Sequence, residues 1–385
     1  MILSKKASRT VRLFSSRPES RHPYFTSLTM QIPGIKPCPL LHCIIAASLF
    51  ITSCRADEWE LHTVKEPHMG TEFTIRVWAE QGQADELTLL INQAFKRVAQ
   101  LNQICSDYLP DSEINQFAKS PSRYPIGVSD DLFNLFAIAE KLHHESDGAF
   151  DITAGPLIRL WRMTRKNRRM PTREQLNSAK ERTGFQNLEL DETAQTITKK
   201  IDGMLFDLGG IAKGYAADEA LNILRDGGFS RALVAASGDI VVGEAPPNEE
   251  GWKIGIETLE LYAGLKNLQV IVLENQAIST SGDTRQYVEL NGSRYSHIVS
   301  TKTGLGLTER IGASVIAPDA VTSDTHATIV TLLGEKEGLQ FIRNKRGVEC
   351  QIAVIIDDQE VFTRTDGFLR QVRQKVEKEG PFPAP

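Results

Sequence analysis

The stretch Phe206-Asp-Leu-Gly-Gly-Ile-Ala-Lys-Gly-Tyr215 joins a short apolar segment to a longer segment with helical periodicity. Its two adjacent glycines predict a tight turn between a strand and a helix, since glycine adopts backbone conformations that other residues avoid. The first N–H groups of a helix have no partner within it, so they can bind an anion, and Lys213 would add positive charge. The spacing differs from both the Walker A loop and the GxGxxG fingerprint. A purely structural turn and a phosphate site both remain open.

The sequence on either side of this turn predicts a mixture of strands and helices. Alternation of apolar and polar residues indicates strands, and apolar residues spaced three and four apart indicate helices. We predict strands at residues 73–77, 188–190, 196–201, 204–206, 232–234, 240–242, 252–256, 268–273 and 287–290. We predict helices that begin near Ala84 and Ser129, and others at residues 172–182, 211–226, 322–333 and 336–344. This order of elements indicates an α+β fold.

A second polar motif, Thr322-Ser-Asp-Thr-His-Ala-Thr328, begins the helix predicted at residues 322–333. Asp324 and Thr328 are four residues apart, so their oxygens lie on one face of the helix. A carboxylate and a hydroxyl that face the same way can hold a hard cation such as Mg²⁺. The simpler interpretation is that the helix dipole stabilises an aspartate in the first turn.

Three further segments contain residues that could bind a ligand. Gly148–Leu157 places Phe150 beside Asp151 between glycines, which suits either an aromatic ligand or a strand that ends in a turn. His297 is followed by a glycine loop, where a histidine is either structural or an acid and base. The basic stretch Arg159–Arg169 is interpreted as a solvated loop, with contact to phosphate as the alternative.

Charge and composition disfavour other classes of protein. The net charge of −5 gives no overall basic field, which argues against a nucleic acid as partner. No Cys or His spacing typical of zinc sites occurs, and His143-His-Glu145 is not the HExxH motif of zinc proteases. Cys105 and Cys350 lie in the body of the chain, and we predict that they are buried free thiols.

The N-terminus has the features of an export signal. Residues 40–53 are apolar, too few to span a bilayer comfortably, and typical of the core of a signal peptide. A buried core helix is the alternative, but the N-terminal position and the polar stretch that follows favour the signal. Ile51-Thr-Ser-Cys54 fits a bacterial lipobox, in which the cysteine is acylated. Residues 1–29 have the composition of a transit peptide, but we expect translation to begin at Met30. The sequence therefore predicts a lipoprotein anchored to a membrane through Cys54, facing the periplasm or the cell exterior.

Seven short motifs occur in an order and spacing that resemble the ApbE family of flavin transferases, over nearly all of residues 57–370. The motifs are Met69-Gly-Thr71, Tyr108 with Asp111-Ser-Glu-Ile114, Gly148-Ala-Phe-Asp-Ile-Thr153, Asp207-Leu-Gly-Gly-Ile-Ala-Lys-Gly214, Ser281-Gly-Asp283, Tyr295-Ser-His-Ile298 and Asp324-x-x-x-Thr328. The resemblance implies a single ApbE-like domain, related to the T-fold, with mixed or antiparallel sheets and flanking helices. That domain would occupy residues 54–375, between an N-terminal extension with its signal peptide at 1–53 and a flexible proline-rich tail at 376–385.

The resemblance also implies a cofactor, a metal and a reaction. Mg²⁺ would be held by the main-chain oxygen of Gly210 and by the side chains of Asp324 and Thr328. FAD would bind in an extended cleft, and its FMN part would pass to a threonine hydroxyl of a partner protein while AMP leaves. The partner would carry a Ser/Thr-Gly-Ala-Thr-type site, as in flavin-carrying subunits of Na⁺-translocating or Rnf-type redox complexes. The residues expected to contact FAD are Met69, Tyr108, Ala149, Phe150, Asp151, Asp207, Lys213 and Ile298.

Three catalytic residues are expected in this scheme. Lys213 would join Mg²⁺ in offsetting the charge of the pyrophosphate. His297 is the first candidate for the base that takes the proton of the acceptor hydroxyl, and Asp283 is the second. Two alternatives share the same site: an FAD pyrophosphatase, in which water replaces the hydroxyl, and a flavin-binding lipoprotein without catalysis. Tyr108 favours transfer over hydrolysis, because transferases of the family carry Tyr at this position.

Two segments depart from the family pattern. Val299–Gly304 lacks the usual Asp-Pro pair, and Ala235–Asp239 replaces the usual Asn-x-Gly-Gly-Asp. Both are expected where the nucleotide or the acceptor docks.

The lipobox makes a prediction about Cys54. Cells given radiolabelled palmitate should incorporate the label into the wild-type protein but not into the Cys54→Ala variant, because acylation requires the thiol. The Cys38→Ala variant leaves the lipobox intact and serves as the matched control, which should be labelled normally. Unlabelled wild-type protein, or label that persists in Cys54→Ala, would contradict the anchor.

Overall fold

The computed structural model describes residues 59–256, 259, 269–282 and 286–375. The predictions for the signal peptide, Cys54, Asp283 and the proline-rich tail lie outside the described residues. Within these ranges the chain forms strands in four sheets with helices around them, which confirms the α+β class. No helix in this part of the chain is long and apolar enough to cross a membrane.

A large antiparallel sheet organises the described part of the chain. The strands are β1 (Trp59–His68), β2 (Thr71–Glu80), β3 (Pro125–Gly127), β4 (Leu188–Asp191), β5 (Thr196–Lys199), β6 (Ala232–Ala236), β7 (Asp239–Val242), β8 (Trp252–Ile256), β9 (Gln269–Leu273), β10 (Gln276–Gly282), β11 (Tyr287–Leu290), β12 (Ser293–Ser296), β13 (Ile311–Ala317), β14 (Glu349–Ile356), β15 (Gln359–Arg364) and β16 (Val372–Lys375). Eight of them form the central sheet in the order β1-β2-β6-β7-β10-β13-β14-β15, with antiparallel pairing throughout. The smaller sheets are β16-β9-β8, β3-β5-β4 and the hairpin β11-β12.

Helices pack on both sides of this sheet and extend beyond it. They are α1 (Ala84–Cys105), α2 (Glu113–Lys119), α3 (Asp130–Glu145), α4 (Gly155–Asn167), α5 (Arg173–Lys180), α6 (Ala212–Asp226), α7 (Ala320–Arg343) and α8 (Asp366–Gln371), with 3₁₀ turns at 152–154 and 185–187. Helices α6 and α7 pack against each other and against the sheet. Their N-terminal parts, which carry the predicted phosphate and metal residues, meet where Gly214 lies against the backbone of Ala320.

The central sheet is buried on both faces. Successive residues of β6 alternate between them, so Val234 packs against α1 and α6 while Leu233 packs against β8 and β9. Burying a side chain of this size contributes about 1.5–3 kcal/mol. Packing on both faces fixes where α6 lies and hence where its first turn points.

Most of the predicted helices are confirmed. α1 begins at Ala84, and the Ser129 side chain accepts the N–H of Leu132 at the start of α3 (3.3 Å). Thr172 forms a capping box at the start of α5. α7 is interrupted at Gly334, whose φ of 81° only glycine adopts readily, so the two helices predicted there are the two segments of α7.

Helix α4 contradicts the prediction of a solvated loop at Arg159–Arg169. Pro156 lies in its first turn, where a missing N–H costs nothing. Leu157, Trp161 and Thr164 are spaced four and three apart and form its buried stripe. Arginine side chains occupy much of the remaining surface of α4. Their number obscured the helical spacing of the apolar residues in the sequence.

Met204 and Phe206 are buried, but residues 204–206 form no strand, contrary to the prediction. Phe206 stacks on Phe117 of α2 and packs edge-on against Phe136 of α3, with 5.2 Å between ring centroids in both pairs. Packing of aromatic side chains replaces sheet pairing here. Helices α2 and α8 and strands β1, β3, β10 and β12 to β16 were not predicted. In β13 all seven residues are buried, so the alternation that indicates a strand is missing.

Cys105 and Cys350 are buried free thiols, which confirms the prediction. Burial raises the pKa of each thiol to about 12. Both are therefore protonated at neutral pH and poor nucleophiles.

Asp218 of α6 ties the two central helices together. Its carboxylate accepts the N–H of Ala320 (2.8 Å) and of Val321 (2.9 Å), which have no acceptor within the first turn of α7. Burial raises the pKa of Asp218 to about 6. The protonation state of this carboxyl is therefore linked to folding.

The free energy of unfolding should depend on pH through Asp218. A raised pKa means that the folded protein binds a proton more tightly than the unfolded chain, so this stabilisation is complete below about pH 4 and disappears as the pH rises through 6. Between about pH 4 and pH 6 the free energy of unfolding of the wild type, measured by urea denaturation, should fall by up to about 3 kcal/mol more than that of Asp218→Asn. The control is Asp226→Asn, an exposed carboxyl of the same helix, which should follow the wild type. If the free energy of unfolding of Asp218→Asn changed with pH in the same way as that of the wild type, the prediction would be contradicted.

Candidate active site

A cleft of about 1150 Å³ is lined by residues of both α6 and α7. Ligand pockets usually measure about 300–1000 Å³, so this cleft suits a large ligand. Every predicted site residue among those described lines it: Met69, Tyr108, Ala149, Phe150, Asp151, Asp207, Gly210, Lys213, His297, Ile298, Asp324 and Thr328. Asp283 lies outside the described residues, but its neighbour Gly282 also lines the cleft.

Two glycines allow α6 to begin in contact with α7. A Cβ at Gly210 would lie 3.2 Å from Oγ1 of Thr328. A Cβ at Gly214 would lie 2.9 Å from the Cβ of Asp324 and would overlap the carbonyl oxygen of Ala320. Close approach of the backbone, and not a positive φ, therefore requires glycine at both positions.

Lys213 lies between two buried carboxylates at this contact. Its Nζ is 2.7 Å from Oδ2 of Asp239 and 3.5 Å from Oδ2 of Asp324. The N–H of Gly214 also donates to Asp324 (3.1 Å). Burial and the charge of Asp239 nevertheless raise the pKa of Asp324 to about 7. One lysine therefore leaves the two carboxylates under-compensated, and a second cation would balance them.

The oxygen donors at this contact fit a hard divalent cation. Asp324 offers a carboxylate and Thr328 a hydroxyl, and the backbone of Gly210 lies against Thr328. Across the part of the chain that the structure describes, no three His, Cys, Asp or Glu side chains are grouped as metal ligands. Mg²⁺ does not need such a group, because it is often held by one or two carboxylates together with phosphate oxygens of a substrate.

Asp239 and Ser237 belong to the segment Ala235–Asp239, which was expected where the nucleotide or the acceptor docks, but neither residue was itself predicted as a site residue. Both line the cleft and are 4% exposed. Ser237 adopts a left-handed backbone (φ 64°), and its buried hydroxyl has no hydrogen-bond partner among the described residues. A buried polar atom without a partner, facing a cleft, suits a polar ligand. One sequence signal was present, because Ser-Gly-Asp occurs both at 237–239 and in the recognised motif at 281–283.

Arg162 is the third unpredicted site residue. It forms ion pairs with Asp107 and Asp207, and its guanidinium lies over the ring of Tyr108. The stretch Arg159–Arg169 was interpreted as a solvated loop with contact to phosphate as the alternative, and neither interpretation predicted the contacts of Arg162 with Asp107, Asp207 and Tyr108.

Phe150 and Asp151 form part of the cleft wall immediately before the 3₁₀ turn at 152–154, which Asp151 caps, so the strand considered for this segment is wrong. Phe150 is buried and lies beside Gly210. Asp151 accepts both the N–H (2.8 Å) and the hydroxyl (2.6 Å) of Thr153. Burial raises the pKa of Asp151 in spite of these bonds. The segment is thus held rigidly against the glycine turn.

His297 lies on the side of the cleft formed by the β11-β12 hairpin. Its Nδ1 is 3.1 Å from the main-chain oxygen of Gln286. If Nδ1 carries the proton of that hydrogen bond, Nε2 is in the form that accepts a proton. Met69 lies in the β1-β2 turn with a left-handed backbone (φ 48°), which brings the turn to the cleft.

Comparison with known proteins agrees with this arrangement. The model of the ApbE family matches residues 69–352, which is more than half of the chain. The FAD:protein FMN transferase of Vibrio cholerae serotype O1 is 31% identical over 299 residues, 77% of this chain and 88% of the relative. The protein of the same name in Escherichia coli K12 is 30% identical over 251 residues, 63% and 71% of the two chains. The structure of the flavin transferase ApbE from Vibrio cholerae matches with a TM-score of 0.73 at 28% identity, covering 81% of this chain and 99% of that one.

The contact between the two helices makes a prediction about Gly214. The free energy of unfolding of the Gly214→Ala variant should be about 3 kcal/mol lower than that of the wild type, because the added Cβ would collide with the backbone of α7. The matched control is Gly127→Ala, whose Cβ would have no neighbour within 4 Å. Urea denaturation measures both variants. Equal stability of the two would show that α6 and α7 are not packed as closely as described.

Proposed function

Because the chain belongs to the ApbE family, we propose that it is an FAD:protein FMN transferase that uses Mg²⁺. The observation that carries the proposal is the meeting of Lys213, Asp324 and Thr328 at the glycine turn. The adjoining cleft is large enough for a dinucleotide. A cation and oxygen donors at one end of a long cleft suit a ligand whose pyrophosphate lies between two ring systems.

In the proposed reaction, the hydroxyl oxygen of an acceptor threonine attacks the phosphorus that carries the riboflavin part of FAD. A P–O bond forms to the acceptor. The P–O bond to the bridging oxygen breaks, and AMP leaves with that oxygen and its electron pair. The proton of the hydroxyl passes to a base. The product is a phosphodiester that holds FMN covalently on the acceptor.

Lys213 would bind the pyrophosphate and stabilise the charge that develops in the transition state. Its ammonium is already held by Asp239 and Asp324, so little reorganisation is needed when the substrate arrives. Mg²⁺, held by the main-chain oxygen of Gly210 with Asp324 and Thr328, would supply a Lewis acid for the phosphate oxygens. The hydroxyl of Ser237 is a further donor that a phosphate oxygen could accept from.

His297 is the proposed base. Its hydrogen bond to the main chain of Gln286 orients the ring and favours the tautomer in which Nε2 accepts a proton. Asp283 stays the second candidate on the strength of the sequence motif alone.

The acceptor is proposed to be a flavin-carrying subunit of a membrane redox complex with a Ser/Thr-Gly-Ala-Thr-type site. A lipid on Cys54 would hold the enzyme at the membrane, on the periplasmic or outer side, where such a subunit could be reached. Both proposals rest on the sequence motifs of this chain.

One assay separates the proposed transferase from the two alternatives. The mature chain is incubated with FAD, Mg²⁺ and an acceptor domain that carries the threonine site. A fluorescent, covalently modified acceptor together with AMP is expected. Free FMN with AMP would instead identify an FAD pyrophosphatase, and unchanged FAD would identify a flavin binder without catalysis.

Removal of the proposed metal carboxylate makes a further prediction. Asp324→Ala should lower Mg²⁺-dependent transfer at least about a hundredfold, because the cation loses its charged ligand. Glu337→Gln, an exposed carboxylate of the same helix, is the control and should retain wild-type activity. Activity is measured as acceptor flavinylation over a Mg²⁺ titration. Full activity of Asp324→Ala at wild-type Mg²⁺ concentrations would refute the metal assignment.

A further inference from the structure

Arg162 of α4 connects parts of the cleft that are far apart in the chain. Its guanidinium pairs with Asp107, which follows α1, and donates to Oδ2 of Asp207 (2.6 Å), which precedes the glycine turn. The same guanidinium lies over the ring of Tyr108, 4.2 Å from its centroid. All four side chains line the cleft.

The planar fork of arginine explains how one side chain serves two carboxylates. Burial and the charge of Asp207 raise the pKa of Asp107, and the bond with Arg162 opposes them. Without Arg162 the two carboxylates would repel each other, so that one would take up a proton or move away. Arg162 therefore fixes the loop at 107–108 relative to the glycine turn.

Tyr108 is 73% exposed and lines the cleft, so much of its aromatic ring is accessible to a ligand. One face of its ring is covered by Arg162. A cation on one face holds the ring in place, and the other face can stack on a planar ligand. Arg165, one turn further along α4, also lines the cleft and adds positive charge there.

Asp207 connects Arg162 to the glycine turn, at the part of the cleft where Lys213 lies. Its Oδ2 accepts from Arg162, and its Oδ1 accepts the N–H of Gly209 (2.8 Å). Both oxygens are thus fixed, and the turn that leads to Lys213 is tied to the ring of Tyr108 through one arginine.

We propose that Arg162 is a positioning residue that holds Tyr108 as a stacking platform for one planar ring of the dinucleotide. The inference rests on the proposed function, since FAD has two such rings, the isoalloxazine and the adenine. Lysine would not replace Arg162, because it has neither a planar face for the tyrosine nor a fork for two carboxylates.

The test measures the Kd of FAD for the mature chain by quenching of flavin fluorescence. Arg162→Ala should weaken binding about tenfold, and Arg162→Lys should do the same. KM for FAD should rise in parallel, while kcat changes less than about threefold. Arg159→Ala is the matched control, an exposed arginine of the same helix outside the cleft, and should bind as the wild type does. If Arg162→Ala does not fold, Arg162→Met keeps the length of the side chain and should show the same loss.

A second substitution tests whether Arg162 acts through the tyrosine. In a Tyr108→Leu background, adding Arg162→Ala should raise the Kd of FAD by less than about threefold, because the ring that Arg162 positions is gone. With FMN and ADP as separate probes, only one should lose affinity in Arg162→Ala, and that probe identifies the stacked ring.

Three results would overturn the inference: wild-type affinity in Arg162→Ala or Arg162→Lys, an equal loss with and without Tyr108, or equal weakening of FMN and ADP. A wild-type chain that binds FAD with the predicted dependence on Arg162, but neither modifies an acceptor nor releases AMP, would refute the proposed function and leave this inference standing.

Discussion

The close contact between the glycine turn and the first turns of α7 is the constraint on which the site depends. A side chain at Gly214 would collide with the backbone of α7, and Asp218 binds the first N–H groups of that helix one turn further along α6. Because the backbones approach this closely, Lys213 and Asp324 can reach the same ligand. The contact that stabilises the fold therefore also builds the site, and a change that separates the helices would affect both.

Charge balance along the cleft follows from the same segment. Residues 207–213 carry Asp207 at one end and Lys213 at the other, and each belongs to a group in which one cation lies between two carboxylates. Lys213 lies between Asp239 and Asp324, and Arg162 lies between Asp107 and Asp207. The first group has buried carboxylates that need a further cation, which suits chemistry on phosphate. In the second group the guanidinium of Arg162 lies against the ring of Tyr108, and an aromatic ring suits stacking with a planar ligand.

The sequence predicted the parts of the fold and site that depend on local signals. The glycine pair and the period of α6 placed the turn, and Asp324 and Thr328 were recognised because their spacing is a property of one helix. The partners of these residues could not be predicted in the same way, because they come from distant segments. Asp239 approaches Lys213 only through the order of strands in the central sheet, and Arg162 approaches Asp207 only once α4 forms. In α4 the apolar stripe of Leu157 and Trp161 was outnumbered by arginines, and in β13 complete burial removed the alternation that marks a strand.

The most direct test of this account is a crystal structure of the protein with FAD and Mn²⁺, which replaces Mg²⁺ and scatters X-rays anomalously. We predict one anomalous peak within about 2.5 Å of the Asp324 carboxylate, the Thr328 hydroxyl and the main-chain oxygen of Gly210, in contact with the pyrophosphate of FAD. Bound FAD with the metal at a different place, or with no metal at the meeting point of α6 and α7, would contradict the account.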